Sequence, residues 1–414
     1  MTSQFKDAIS QFYSTIRSLD TMLPFIASVL NSSKGQVRNT LDTYLEENAI
    51  RKENDKENPN ISTYYLRPEH GLQLRRLGIM LSSAELAIHK VPESFIVTLI
   101  SQYDAFLGNL LRILFMNNPE LINASEKKMS YSEIASFNSI NDARQYAIEC
   151  EIDSVIRENH VEQIAWLERK LGMTLTKNLS IWPIFIEVTE RRNLFVHTGG
   201  RVTTQYLKVC NKHKVKLPNG IKPGDLLSVD RSYFDCACDS VLELGLKLGH
   251  VLWRKVADEE REEADINLNL IGYELIHAEE YRLASSILEF ATETIKKHSS
   301  EEVFLYMLIN KAQSYKWAGD SDHCSRVLQS IDWSVKAPKY QLVRYVLEDK
   351  YEDAAKIMKS IGVEGEVGIP AYIEWPVFQK FRQSDIFQLT YREIFGSDYQ
   401  VIKTIETDSS NEYS

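Results

Sequence analysis

Arg192, Asn193 and His197 fall within Glu190-Arg191-Arg192-Asn193-Leu194-Phe195-Val196-His197-Thr198-Gly199-Gly200, and these are residue types that can do chemistry together. A guanidinium is a permanently charged planar fork that fits phosphate or carboxylate oxygens. An imidazole, with an unperturbed pKa of about 6.5, takes up or releases a proton near neutral pH. The amide of Asn193 can orient that imidazole or contact an oxyanion. Such a set can stabilise a charged transition state while moving a proton.

A helix has to present these side chains, and the sequence supplies one. Ile181, Ile184, Phe185, Val188, Phe195 and Val196 form one apolar stripe at about 100° per residue, and Gly199-Gly200 stops the helix. Arg192 falls in the middle of the stripe, while Glu190, Asn193 and His197 line its edge. A guanidinium on an apolar face is costly unless it is paired, so Arg192 calls for a partner. Asp104, embedded in the apolar helix Phe95–Leu107, is the simplest partner within the chain. Glu190 reads as a salt-bridging or helix-orienting residue rather than a catalyst.

Charge is concentrated around this segment. The chain has 414 residues, 43% apolar and 26% charged, with a net charge of -10. That balance fits a soluble globular protein of two or three domains and argues against one that coats nucleic acid over its whole surface. Yet no Asp or Glu occurs from Arg191 to Gly224, where Arg191, Arg192, Arg201, Lys208, Lys212, Lys214, Lys216 and Lys222 supply eight positive charges. No apolar run reaches the roughly 18 residues of a membrane span and the start is not a signal peptide, so a cytoplasmic location without membrane contact is expected. Of five cysteines, Cys210 with His213 and the Cys236/Cys238 pair could in principle hold zinc. Their spacing matches no strong metal pattern, and reduced thiols with no metal and no cofactor are expected.

In chain order, residues 1–85 resemble a winged helix. A helix from Gln4 to Ser18 is followed by Leu23–Ser33, a helix through Val37, Leu41 and Leu45, a polar loop at Arg51–Asn60, and a strand at Ile61–Pro68. The second helix carries more acid than base, so DNA is not the expected partner. Residues 90–257 read as an antiparallel helical bundle, with helices over Ser94–Met116, Ser132–Leu171, Ser180–Thr198 and Asp230–Trp253, and a β-like stretch over Val202–Lys216. A charged segment, Ala257–Asp265, precedes residues 266–396. There, Ala284–Leu288, Cys324–Ile331 and Ala354–Ile361 are similar second helices spaced 40 and 30 residues apart. These spacings straddle the tetratricopeptide (TPR) period of about 34. A cap at Trp375–Phe395 closes the array, and residues 397–414 read as a disordered acidic tail.

Arg192-Asn193-Leu194-Phe195-Val196-His197 resembles the signature of HEPN domains, all-α bundles in which a late helix carries Arg, a polar residue, three variable positions and His. The helix bearing Tyr103-Asp104 is similar to the acidic first helix of many members. The fold expected is therefore mainly α: a HEPN-like bundle with a small β hairpin, an N-terminal winged-helix-like unit and a C-terminal TPR-like solenoid. The resemblance implies a homodimer and a ribonuclease, of the toxin or antiphage-defence kind. RNA carries its own nucleophile, the 2′-OH, so cleavage to a 2′,3′-cyclic phosphate and a 5′-OH needs a base, an acid and positive charge, but no metal. Arg192, Asn193 and His197 would be catalytic, with Asp104 and Glu190 supporting them. Arg191, Arg201, Lys208, Lys212, Lys214 and Lys216 would hold the RNA strand, and the array would bind a protein partner. The alternative is a non-catalytic scaffold or nucleic-acid-binding regulator.

Overall fold

Gln4–Asn48 forms one helix of 45 residues, α1, although Pro24 lies inside it. Proline lacks the N–H that the carbonyl four residues earlier needs. Here that carbonyl, on Asp20, accepts instead from Arg231 Nη1 at 2.9 Å, while Arg231 Nη2 meets Asp20 Oδ1 at 3.1 Å. The orphaned group is thus satisfied by a residue 211 positions further along the chain, and the helix continues. In place of the winged-helix expectation of a helix at Gln4–Ser18 and a separate one through Val37, Leu41 and Leu45, one continuous helix runs through both.

The protein is described here from a computed structural model, which covers residues 3–54, 62–118, 120–123, 129–176 and 179–399. After α1, strands β1 (Arg51–Asn54) and β2 (Ser62–Tyr65) pair antiparallel, with Arg51 opposite Tyr65 and Asn54 opposite Ser62. Part of the loop expected at Arg51–Asn60 is therefore strand; residues 55–61 lie outside the described residues. The next helix, α2 (Gly71–Asn117), has 47 residues, so the boundary expected near residues 85–90 falls inside a helix.

The short helices α3 (Glu120–Asn123) and α4 (Tyr131–Ala135) lead to α5 (Ile140–Ile156), α6 (His160–Leu171), α7 (Trp182–Thr198), α8 (Thr204–Lys212) and α9 (Arg231–Val256). Met1–Glu260 makes one compact unit. Its centre joins α9 to the first half of α1 and the second half of α2. Phe12 stacks on Phe106 with ring centres 4.1 Å apart. α9 approaches α1 closely: a Cβ on Gly245 would lie 2.3 Å from the Phe12 ring, and one on Gly249 would lie 2.9 Å from Ile9. The N-terminal residues thus belong to the core that carries the site and do not form a separate module.

Val202–Lys216, expected to be β-like, contains α8. Thr203 caps it by accepting from the Tyr206 N–H at 3.1 Å, and Tyr206 and Cys210, one turn apart, are buried beneath it. The β-branched and aromatic residues that suggested a strand fit a short amphipathic helix equally well.

Arg261–Ser414 makes the second unit. Helices α10 (Arg261–His277) and α11 (Tyr281–Glu289), α12 (Glu301–Trp317) and α13 (Ser321–Gln329), and α14 (Pro338–Leu347) and α15 (Tyr351–Ile361) form three successive hairpins. Their turns share one conformation. Glu279, Gly319 and Asp349 each have φ between 58° and 84°. The next N–H bonds five residues back in every case: Glu280 to Leu275, Asp320 to Tyr315 and Lys350 to Tyr345, all at 2.9 Å. Two non-glycine residues held in the left-handed region show the turn geometry outweighing local preference. After α16 (Ile369–Glu374) and α17 (Asp385–Phe395), Val377, Phe378, Phe381 and Phe387 fill the end of the array. Tyr399 packs at 5.4 Å from the rings of both Phe387 and Tyr391, so the start of the expected tail is packed; residues 400–414 lie outside the described residues. Among the described residues no helix is long and apolar enough to cross a membrane.

Candidate active site around Arg192

α7 places the site. Pro183 stands in its first turn, where a missing N–H costs nothing, and Gly199 and Gly200 end it with φ of 61° and 86°. Gly200 also leaves no room for a side chain, since a Cβ there would lie 3.1 Å from the Leu227 carbonyl and 3.3 Å from the Phe195 ring. The Gly200 N–H returns to the Leu194 carbonyl, and its own carbonyl accepts from Leu227 N–H at 2.9 Å, which fixes where the loop leaves.

One side of α7 faces α2 and α6. Arg192 Nη2 donates to Asp104 Oδ2 at 2.9 Å, the pairing expected for an arginine on an apolar stripe. Arg192 Nη1 meets Asn193 Oδ1 at 3.2 Å. Asp104 Oδ1 is taken by His160 Nε2 at 3.0 Å, from the first turn of α6. The His160 ring is walled by Tyr103 and Phe185, at 6.0 and 5.7 Å between ring centres. Burial pushes the Glu190 carboxyl above its ordinary range, and the neighbouring His160 opposes that shift. Burial, reinforced by Asp104, also drives the Tyr103 hydroxyl far above its usual value, so it stays protonated. Arg192, Asn193, Asp104, Glu190 and His160 thus form one neighbourhood. His160 was missed in the sequence, where the only local signal is Asn159-His160 opening a helix.

The opposite side of α7 is a clamp. Glu187 Oε1 accepts from Arg191 Nε and from the Tyr206 hydroxyl, both at 2.7 Å, and Oε2 accepts from the Tyr233 hydroxyl at 2.9 Å. The Arg191 guanidinium stacks 3.8 Å from the centre of the Tyr233 ring and donates to the Ser228 carbonyl at 3.2 Å. Arg191, expected to hold RNA, is instead buried and committed to this network, because consecutive helical positions point about 100° apart. The clamp ties α7 to α8, to α9 and to the loop between them.

His197 is exposed in the last turn of α7, and among the described residues it takes no hydrogen-bond or ion-pair partner. Lys208, Lys212, Lys214 and Lys216 are likewise exposed along α8 and the loop after it, as is Arg201, which donates to the Gly224 carbonyl at 3.2 Å. Cys210 and Cys238 are buried and Cys236 is exposed. Burial pushes the Cys210 thiol up to about 12. Among the described residues no three His, Cys, Asp or Glu side chains group as metal ligands, so Cys210, His213, Cys236 and Cys238 do not converge.

Compared with protein-family models, with curated proteins and with solved structures, the chain gives no match.

Proposed function

We propose that this chain is a HEPN-type, metal-independent endoribonuclease. The observation that carries the reading is the arrangement on α7: a part-buried arginine held on an aspartate and an asparagine, and on the same helix an exposed histidine without a partner among the described residues, followed in sequence by exposed lysines on and after α8. RNA lies against Lys208, Lys212, Lys214 and Lys216, with a scissile phosphate oxygen on the open edge of Arg192. The 2′-oxygen attacks phosphorus; the new bond is 2′-O–P and the broken one is P–O5′. A base takes the 2′-hydroxyl proton and an acid returns one to the departing 5′ oxygen, leaving a 2′,3′-cyclic phosphate and a 5′-OH. His197 is suited to either proton role. One imidazole does not serve both in a single step, so a second copy of the chain contributes its own His197. Arg192 holds the phosphorane-like charge as it develops.

The helical hairpins of the second unit, read as a TPR-like array, provide a surface for a protein partner that restrains or triggers a toxin or defence effector. One observation favours the non-catalytic reading: Arg192 already has a carboxylate partner within the chain. The two are separated by incubating RNA with the protein in excess EDTA and comparing wild type with Arg192→Ala and His197→Ala. Cleavage to cyclic-phosphate ends by wild type alone is expected. Intact RNA with wild type, or equal cleavage by both variants, leaves the scaffold.

A further inference from the structure

We propose that His160 is a positioning residue that acts on Arg192 through Asp104, preventing the aspartate from closing on the guanidinium. For its effect on cleavage this rests on the ribonuclease reading; its structural part does not. Arginine and a free carboxylate prefer a two-pronged pairing in which both oxygens meet two parallel N–H groups. Here Asp104 meets Arg192 through one oxygen: Oδ1 receives His160 Nε2 at 3.0 Å and Oδ2 receives Arg192 Nη2 at 2.9 Å, so the imidazole holds the carboxylate turned away from the two-pronged geometry.

The second guanidinium nitrogen, Nη1, turns to Asn193 Oδ1 at 3.2 Å. Arg192 is therefore held by one bond at each Nη and aimed, without its fork being closed on a single carboxylate. With its side chain 22% exposed, it keeps N–H groups for an incoming oxyanion. His160 is built to do this. Its side chain is only 8% exposed, the Asn159 cap fixes the helix end it stands on, and Tyr103 and Phe185 restrict its ring. Because an ionised Asp104 only accepts, the Nε2 atom must carry a hydrogen, whether the ring is neutral or charged. Glu190, from α7, also interacts electrostatically with the ring. Nothing places His160 at the reacting atoms; its influence passes through the aspartate.

The test compares His160→Phe, which fills the space without a donor, with His160→Gln, whose amide reaches Asp104. Cleavage of a single-stranded RNA oligonucleotide should fall about tenfold or more in kcat for the Phe variant, as the aspartate closes on the fork, and return to within about threefold for Gln. Arginine labelled with ¹⁵N reads the same event without cleavage. The Nε–H and Nη–H signals of Arg192 should shift in the Phe variant and return in the Gln variant. If thermal unfolding shows that the Phe variant does not fold, His160→Asn, a shorter amide that falls short of Asp104, replaces it with the same expectation. Unmoved Arg192 signals overturn the proposal, and so does a Gln variant as impaired as Phe. Signals that move in a wild-type background that cleaves nothing sink the ribonuclease reading and leave the positioning role standing.

Discussion

Arg192 and Asp104, 88 positions apart in the chain, meet at 2.9 Å between Nη2 and Oδ2, and each is less than a quarter exposed at its side chain. The pair gives Arg192 two separable roles, as partner to a carboxylate and as holder of an oxyanion. Arg192→Lys keeps a charge for Asp104 but loses the planar fork. It should retain most of the thermal stability of wild type while RNA cleavage falls about 100-fold, the order seen when one transition-state donor is lost. Arg192→Ala should lose both activity and stability. A Lys variant that cleaves like wild type shows that the fork is not used on phosphate.

Arg191 and the α8 lysines separate structure from binding. Arg191→Ala leaves Glu187 buried without its cation, which costs on the order of 3 kcal/mol for a pair this enclosed. A clear drop in melting temperature is expected. Changing Lys208, Lys212, Lys214 and Lys216 to Ala together should leave the melting temperature unchanged, because all four are exposed. RNA affinity should fall, and the log–log salt slope should shrink by up to about 3, at roughly 0.7 per phosphate contact on a single strand. Unchanged salt dependence would move the RNA path elsewhere.

These contrasts mark what was legible in the sequence. The glycine stop after His197 and the demand of Arg192 for Asp104 are local or pairwise signals; the apolar stripe is met only in part, since Phe185 and Val188 are buried while Ile184 and Val196 are exposed. The second helices of the hairpins could also be read, because Ala284–Leu288, Cys324–Ile331 and Ala354–Ile361 resemble one another and map onto α11, α13 and α15. Three features could not. Arg191 and Arg192 look alike in sequence, and only the positions of Tyr206 and Tyr233 decide which of them is buried. The α8 sequence satisfies strand and helix preferences alike until Tyr206 and Cys210 find a core to cover. His160 acquires its meaning only from an aspartate 56 positions away.

Glu190 gives a dependence on pH with a definite sign. Burial raises its carboxyl pKa above the ordinary range, so the folded state binds the proton more tightly than the unfolded chain does. Its ionised form therefore costs stability. The cost is full above the raised value, shrinks as pH falls through it, and is gone below the ordinary carboxyl range, at about pH 4. Glu190→Gln should raise the melting temperature at pH 7 and converge with wild type near pH 4. A Gln variant less stable than wild type at pH 7 would mean that the carboxylate has a stabilising partner, with His160 the first candidate.

Asp20, Pro24 and Arg231 permit a test of why the first helix is continuous. Pro24 deprives the Asp20 carbonyl of its helical donor, and Arg231 supplies another at 2.9 Å. Arg231 also serves the Asp20 carboxylate at 3.1 Å and Asp235 at 2.7 Å, and with its side chain 48% exposed these ion pairs are weakened by solvent. Arg231→Ala should therefore cost about 1 kcal/mol, most of it from a carbonyl left without a donor. In a Pro24→Ala background the helix provides its own N–H, and the same substitution should cost measurably less. Denaturant unfolding of the four proteins in this cycle gives the coupling directly, provided the residues act through the shared carbonyl. Equal costs in both backgrounds would show that Arg231 acts on the carboxylates alone, and the continuity of the helix through Pro24 would then need another cause.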